Sequence, residues 1–272
     1  MRKFTAVALV LAAAGAGVLA VVVAGHLWAT GTDGKLRPRT VAQPAPTVPK
    51  PRVLHVPTCV PGSLVRLDGA SAAHAVTVRR AATAFRAPGS QPFARFERLN
   101  VNGVPTVFSV LGARLDRACK ATWYHVQLPL RPNGSTGWVS ARAVAERTLH
   151  VRIVVDLSER RVTLYRGRAP VLATTAAIGT ASTPTPTGRY YVNQKLVPAD
   201  PSGPFGSAAL GISAFSPVLQ DWSQGGPIAI HGTNQAELLG SAVSHGCIRI
   251  ANDAIERLWK LAPTGTPVLI RI

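Results

Sequence analysis

From about residue 58 onward the apolar residues of this chain fall in short runs interleaved with polar ones, a period of two that dictates strands rather than helices. Ala75-Val76-Thr77-Val78-Arg79 and Trp123-Tyr124-His125-Val126-Gln127-Leu128 are such runs, and turn residues, notably Arg131-Pro132-Asn133-Gly134-Ser135, separate them. The Asn133-Gly134 pair is expected to supply the positive φ angles of a tight hairpin turn. Gly226-Pro227-Ile228-Ala229-Ile230 reads as a short buried strand ending at His231. One segment reads convincingly as a helix. Ile255, Leu258, Trp259 and Ala262 recur at helical spacing, Asn252 or Asp253 can cap it, and Pro263 with Gly265 stops it. The expected fold is therefore mainly β, with one packed helix.

The N-terminal residues obey a different pattern. After Met1-Arg2-Lys3 the chain runs from Phe4 to Trp28 without a formally charged residue. At about 1.5 Å per residue such a helix exceeds a hydrocarbon core of about 30 Å. Residues 1–29 are thus expected to be a transmembrane signal anchor, with the basic pair on the cytoplasmic side and the rest of the chain outside. A cleaved signal peptide is the competing reading, and it exports the chain equally. Residues 30–57, which include Gln43-Pro44-Ala45-Pro46-Thr47-Val48-Pro49-Lys50-Pro51, hold too few large apolar groups to build a core and read as a semi-extended linker. Two folded regions follow, 58–148 and 149–272.

Composition narrows the partners. Thirty Lys and Arg against twelve Asp and Glu give a formal charge of +18, which points to a polyanionic neighbour. The basic residues are dispersed, with no basic helix, zinc-finger spacing or aromatic RNA-binding motif, so nucleic acid is not the expected partner. Of the three cysteines, Cys59 and Cys119 lie in the N-terminal half and are expected to pair in an oxidising compartment, leaving Cys247 reduced. The alternative is that Cys59 and Cys119 are both buried free thiols.

The richest stretch is Ser244-His245-Gly246-Cys247-Ile248-Arg249, with Ile230-His231-Gly232 placed so that the histidine lies sixteen residues before the cysteine. Acyl transfer through a thiol needs a thiolate, a basic nitrogen to take the thiol proton, and N–H groups facing the developing oxyanion. Each has a candidate here. Cys247 is the nucleophile, His231 and His245 are the bases within reach, and the glycine before the nucleophile allows a tight turn and close approach of a carbonyl. Taken singly, a cysteine in an apolar context is more often a small core residue and a strand-end histidine a satisfied imidazole. A metal hydrolase using His231, His245 and Cys247 as ligands is disfavoured, since His-x-Cys is poor zinc spacing and no acidic base adjoins it. The motif order also differs from that of papain-like proteases.

With the residues around it, this constellation resembles the L,D-transpeptidases of bacterial cell walls, the YkuD-type catalytic domain. The resemblance spans roughly 150 to 272. It includes a strand pair at Val151-Arg152-Ile153-Val154-Val155-Asp156-Leu157-Ser158 and Arg161-Val162-Thr163-Leu164-Tyr165, then a Thr-Pro-x-Gly-like turn in Thr183-Pro184-Thr185-Pro186-Thr187-Gly188 before Arg189-Tyr190-Tyr191-Val192. The His-Gly pair, the Ser-His-Gly-Cys-x-Arg motif and a closing strand from Gly265 to Ile272 follow in the family's order. Residues 58–148, through Trp123 to Leu128 and Asn133-Gly134-Ser135-Thr136-Gly137-Trp138-Val139-Ser140, resemble a small bacterial SH3-like β-barrel. Its tryptophans, Trp123 and Trp138, are expected in the core rather than in a ligand cage.

The resemblance implies a transfer between peptidoglycan stem peptides through a Cys247 thioester, forming 3→3 cross-links. Hydrolysis by water (an L,D-carboxypeptidase), attachment of proteins to the wall by the same acyl-enzyme, and a non-catalytic wall-binding protein are its alternatives. His231 is the implied base, oriented by a backbone carbonyl near Gly232 or Thr233, and His245 supports the site. Gly246 and Cys247 are the oxyanion donors, Ser244 holds the loop, and Gly232 is expected with them among the substrate and oxyanion residues. Arg249 either grips a substrate carboxylate or forms a structural ion pair, and many relatives carry Asn there. One of Tyr190 and Tyr191 is expected on the cleft wall. No metal or organic cofactor is implied, because thiolate and imidazole suffice. Stem peptides and anionic wall polymers or the membrane surface are the expected partners, met outside the cell membrane or, if the leader is cleaved, in the wall.

Overall fold

The computed structural model describes residues 60, 62–67, 72–220 and 226–272. The anchor expected over 1–29, the linker over 30–57 and Cys59 lie outside the described residues. Among the described residues no helix is long and apolar enough to cross a membrane. The alternation becomes strands throughout, arranged in two sheets that meet at residues 149–151.

The first sheet contains β1 (Leu64–Arg66), β2 (Ala73–Val78), β3 (Ala81–Phe85), β4 (Pro92–Glu97), β5 (Val107–Leu115), β6 (Ala121–Gln127), β7 (Thr136–Ser140) and β8 (Val144–Leu149). Its order is β4-β3-β7-β6-β5-β2-β8, with β1 also on β5, and every pairing is antiparallel. One face buries Val76, Phe108, Val126, Leu128 and Val139. The two tryptophans expected there lie elsewhere. Tyr124, Val126 and Val139 take the core-facing positions, so alternation turns Trp123 and Trp138 to the other face, half-buried. There Phe85 meets Trp123 edge-on at 5.5 Å and His125 stacks on Trp138 at 5.0 Å. The turn between β6 and β7 also differs from a two-residue hairpin. Gly134 alone has positive φ, at 84°. Asn133 instead turns its amide to the backbone of Phe215, accepting its N–H at 2.9 Å and donating to its carbonyl at 2.8 Å.

The second sheet contains β9 (Val151–Asp156), β10 (Arg161–Arg166), β11 (Ala169–Gly179), β12 (Gly188–Leu196), β13 (Ala209–Phe215), β14 (Pro227–His231), β15 (Ala242–Ser244), β16 (Ile248–Ile250) and β17 (Pro267–Arg271). The order is β10-β9-β17-β12-β13-β14-β16-β11-β15, and a further β10–β11 pairing closes the ring. Inside it Ile153, Leu164, Leu210, Ile212, Ile230, Ile248 and Ile250 are fully or almost fully buried. The helix α1 (Asn252–Leu261) packs Ala254, Ile255 and Leu258 onto this core. Its N-cap is Ala251, with no side-chain cap. Asn252, a candidate cap by sequence, spends its side-chain oxygen on the N–H of Thr233 at 3.0 Å.

Residues Val56–Ile272 form one compact unit, so the two sheets are joined rather than strung apart. Tyr191 is fully buried between them, its hydroxyl donating to the carbonyl of Val107 at 3.1 Å. The Gln194 side-chain oxygen accepts from Asn100 and Asn102 at 2.9 and 2.8 Å, and Gln127 donates to the Arg189 carbonyl at 2.8 Å. Tyr190 points the other way, into the core of the second sheet. Thus Tyr190 packs in a core and borders a cavity between the sheets, and Tyr191 binds the sheets together.

Candidate active site

The register of two short strands assembles the candidate residues. β14 and β16 run parallel with Ile230 opposite Ile248 and His231 opposite Arg249. Ile228, Ile230, Ile248 and Ile250 all enter the core. Alternation therefore turns His231, Arg249 and Cys247, which immediately precedes β16, to the opposite face. Continuing the register by one residue sets Ala229 opposite Cys247, and the Ala229 N–H faces the thiol sulfur.

His231 is 3% exposed. Its Nδ1 lies 2.6 Å from the carbonyl of Gly232. A carbonyl can only accept, so the ring proton sits on Nδ1 and Nε2 is left as the basic nitrogen. The Phe205 ring packs against the imidazole, centroids 5.0 Å apart. Burial pushes the His231 pKa down to about 4, and the positive charge of Arg249 adds to this, against the favourable carbonyls of Gly232 and Phe205. Burial likewise raises the Cys247 thiol, while the Ala229 N–H and Arg249 pull it down. The resting pair is a thiol and a neutral imidazole.

The loop carrying the thiol is clamped from two sides. Ser244 Oγ donates to the carbonyl of Cys247 at 2.5 Å and accepts the Gly246 N–H at 3.1 Å. Thr183 Oγ1 donates to the Ser244 carbonyl at 3.0 Å, and Thr185 Oγ1 to the Gly246 carbonyl at 2.9 Å. Gly246 has φ +111°, and a Cβ there would come within 2.9 Å of Ile228 Cδ1. Only glycine suits both conditions.

Two nearby glycine N–H groups are also engaged. The Gly246 N–H, expected to face an oxyanion, donates to Ser244 Oγ. Gly232 likewise commits its N–H to the Ala208 carbonyl at 3.1 Å and its own carbonyl to His231. Its contribution is room, since a Cβ there would collide with the Asn252 side-chain oxygen. His245 is exposed at the mouth of the turn. Arg249 donates to the neutral Gln235 side chain at 3.0 Å, not to a carboxylate, and its Nε is buried without a hydrogen-bond partner. Cys247 is a free thiol and Cys119 is disulfide-bonded. The expected partner of Cys119, Cys59, lies outside the described residues.

Phe205, Gln235, Asn252, Thr183 and Thr185 were not singled out as site residues by sequence reasoning. The two threonines stood inside the Thr-Pro turn, but their partners lie 61 residues away. Phe205 and Gln235 carried no sequence signal.

A model of the L,D-transpeptidase catalytic domain, YkuD, matches residues 150–270. The chain is similar to YkuD of Bacillus subtilis, named as an L,D-transpeptidase, at 33% identity over 123 residues, 45% of this chain and 67% of that protein. It is similar to YbiS of Escherichia coli K12, also named as an L,D-transpeptidase, at 29% identity over 165 residues, half of each chain. Among solved structures, an Enterococcus faecium L,D-transpeptidase is 26% identical, covering 45% of this chain and 50% of that one, with a TM-score of 0.35.

Proposed function

Because the chain belongs to the L,D-transpeptidase family of the YkuD type, we propose that Cys247 is the nucleophile of a peptidoglycan transpeptidase that forms 3→3 cross-links. The observation that carries this reading is the β14–β16 register, which sets the thiol, a tautomer-fixed imidazole and a guanidinium on one strand face. In the first step the sulfur attacks the carbonyl of the third stem residue as its proton passes to His231 Nε2. The collapsing intermediate expels the terminal D-alanine, whose amine takes that proton back, and leaves a thioester on Cys247. In the second step the side-chain amine of an acceptor peptide attacks the thioester, forming an amide and restoring the thiol. The Cys247 N–H stabilises the oxyanion in both steps. Arg249, fixed by Gln235, holds a substrate carboxylate.

The organisation that serves this chemistry is an anchor over 1–29, a linker over 30–57, an SH3-like module over 58–148 that meets the wall, and the catalytic domain over 149–272. It places the catalytic domain outside the cell membrane, beside the stem peptides and anionic polymers that the +18 charge would favour.

Intact-mass spectrometry of the full chain tests the chemistry, with a disaccharide tetrapeptide and, in parallel, a carbapenem, for wild type and Cys247→Ala. The expected result is a substrate adduct that has lost D-alanine, cross-linked dimers in the product pool, a carbapenem adduct, and none of these in the variant. Tripeptide accumulating without dimers would replace the transpeptidase with a carboxypeptidase. No adduct from either compound would overturn the catalytic reading.

A further inference from the structure

A cavity of about 680 Å³ opens between the two sheets, and none of residues 244–249 lines it. Its volume falls in the range of ligand pockets, about 300–1,000 Å³. The first sheet contributes Ser109, Leu111 and Gln127, and β9, β12 and β17 of the second close the other side. No acidic residue lines it, whereas His150, Arg152, Arg168 and Arg189 do. Among the described residues none of these four is in an ion pair. Arg152 is held ready: its guanidinium donates to the Gly167 carbonyl and lies 4.5 Å over the Tyr165 ring. Such a fork loses little freedom when it engages a carboxylate. Arg168 and Arg189 are exposed at the rim. The walls between these arginines are apolar, with Leu111, Val154 and Leu269 among them.

We propose that this cavity is a second ligand site, which takes a short peptide bearing free carboxylates and small apolar side chains, an unreacted wall stem peptide. Positive charge without an acidic counterpart selects an anion. The apolar walls favour a peptide with alanyl methyl groups over a bare phosphodiester chain, which would leave them unused. A ligand spanning both sheets would hold a neighbouring stem peptide to the enzyme while another occupies the Cys247 face. The identity of the peptide rests on the transpeptidase reading; the anionic character of the site does not.

Calorimetric titration of the full chain carrying Cys247→Ala tests this, with a synthetic stem tripeptide and, separately, a glycerol phosphate oligomer as probes. Arg168→Glu and Arg189→Glu, both at exposed positions, are each expected to weaken tripeptide binding by about tenfold or more, the worth of one charge-assisted hydrogen bond. Unchanged melting temperatures establish that both variants fold. With Cys247 restored, both should keep carbapenem acylation within about twofold of wild type, because the cavity is separate from residues 244–249. Tripeptide affinity indifferent to both reversals would overturn the proposal. So would charge-dependent binding of the phosphate oligomer with no binding of the peptide. Charge-sensitive peptide binding in a protein that forms no carbapenem adduct would retain this site and remove the enzymatic reading instead.

Discussion

Burial sets the protonation of both groups of the proposed pair before any substrate arrives. His231 is neutral down to about pH 4 and the Cys247 thiol is held above its ordinary value, so proton transfer accompanies attack instead of preceding it. Acylation by a carbapenem should therefore rise as pH increases through neutrality, with no acid limb from His231 above about pH 4, measurable as adduct formation against pH. Arg249→Gln removes a charge that favours the thiolate, and should slow acylation at neutral pH and move the profile to higher pH. The depressed His231 pKa also bears on stability. Between its ordinary 6.5 and about 4 the unfolded chain binds the proton that the folded chain refuses, so stability is lost as pH falls through that window. A His231→Gln variant should show a flatter melting temperature across it. Ser244→Ala leaves the buried Gly246 N–H unpaired and should cost about 1–3 kcal/mol in urea unfolding, along with slower acylation. The motif residues themselves were legible in the sequence. Which N–H groups stay available was not, because that depended on where the Ser244 hydroxyl settled.

At the level of elements, the short strands β14 and β16 matter more than their length suggests. Their parallel register decides which residues share a face, and α1 braces the end of β14 through Asn252. Because Asn252 does not cap α1, Asn252→Ala should slow Cys247 acylation strongly while changing helix content in circular dichroism little. The strands and the single helix were readable from periods of two and of 3.6. The hairpin turn and the helix cap were misassigned for one reason. Asn133 and Asn252 fit local turn and cap chemistry, yet each found a partner in a distant backbone, at Phe215 and Thr233. At Thr233 that N–H is partly buried, and leaving it unpaired costs more than an uncapped helix end exposed to water.

For the whole molecule, the joined sheets predict one cooperative transition rather than two in differential scanning calorimetry of the full chain. Tyr191→Phe should lower that transition without splitting it, since the Val107 carbonyl loses one buried bond of about 1 kcal/mol. Binding to isolated walls should weaken as salt rises from about 50 mM to 0.5 M, as screening demands of a chain with charge +18. The sequence by itself determined the β class, the helix, the Ser244–Arg249 motif with His231 upstream, and the excess of positive charge. All of these follow from residue types and local periods. Only the tertiary structure decided that Tyr191 and Gln194 join the sheets, that Trp123 and Trp138 face outward, and that three arginines gather around one cavity. Those outcomes depend on which faces meet across the fold, and strand order and register, which set the meeting faces, couple residues too far apart for any local period to link.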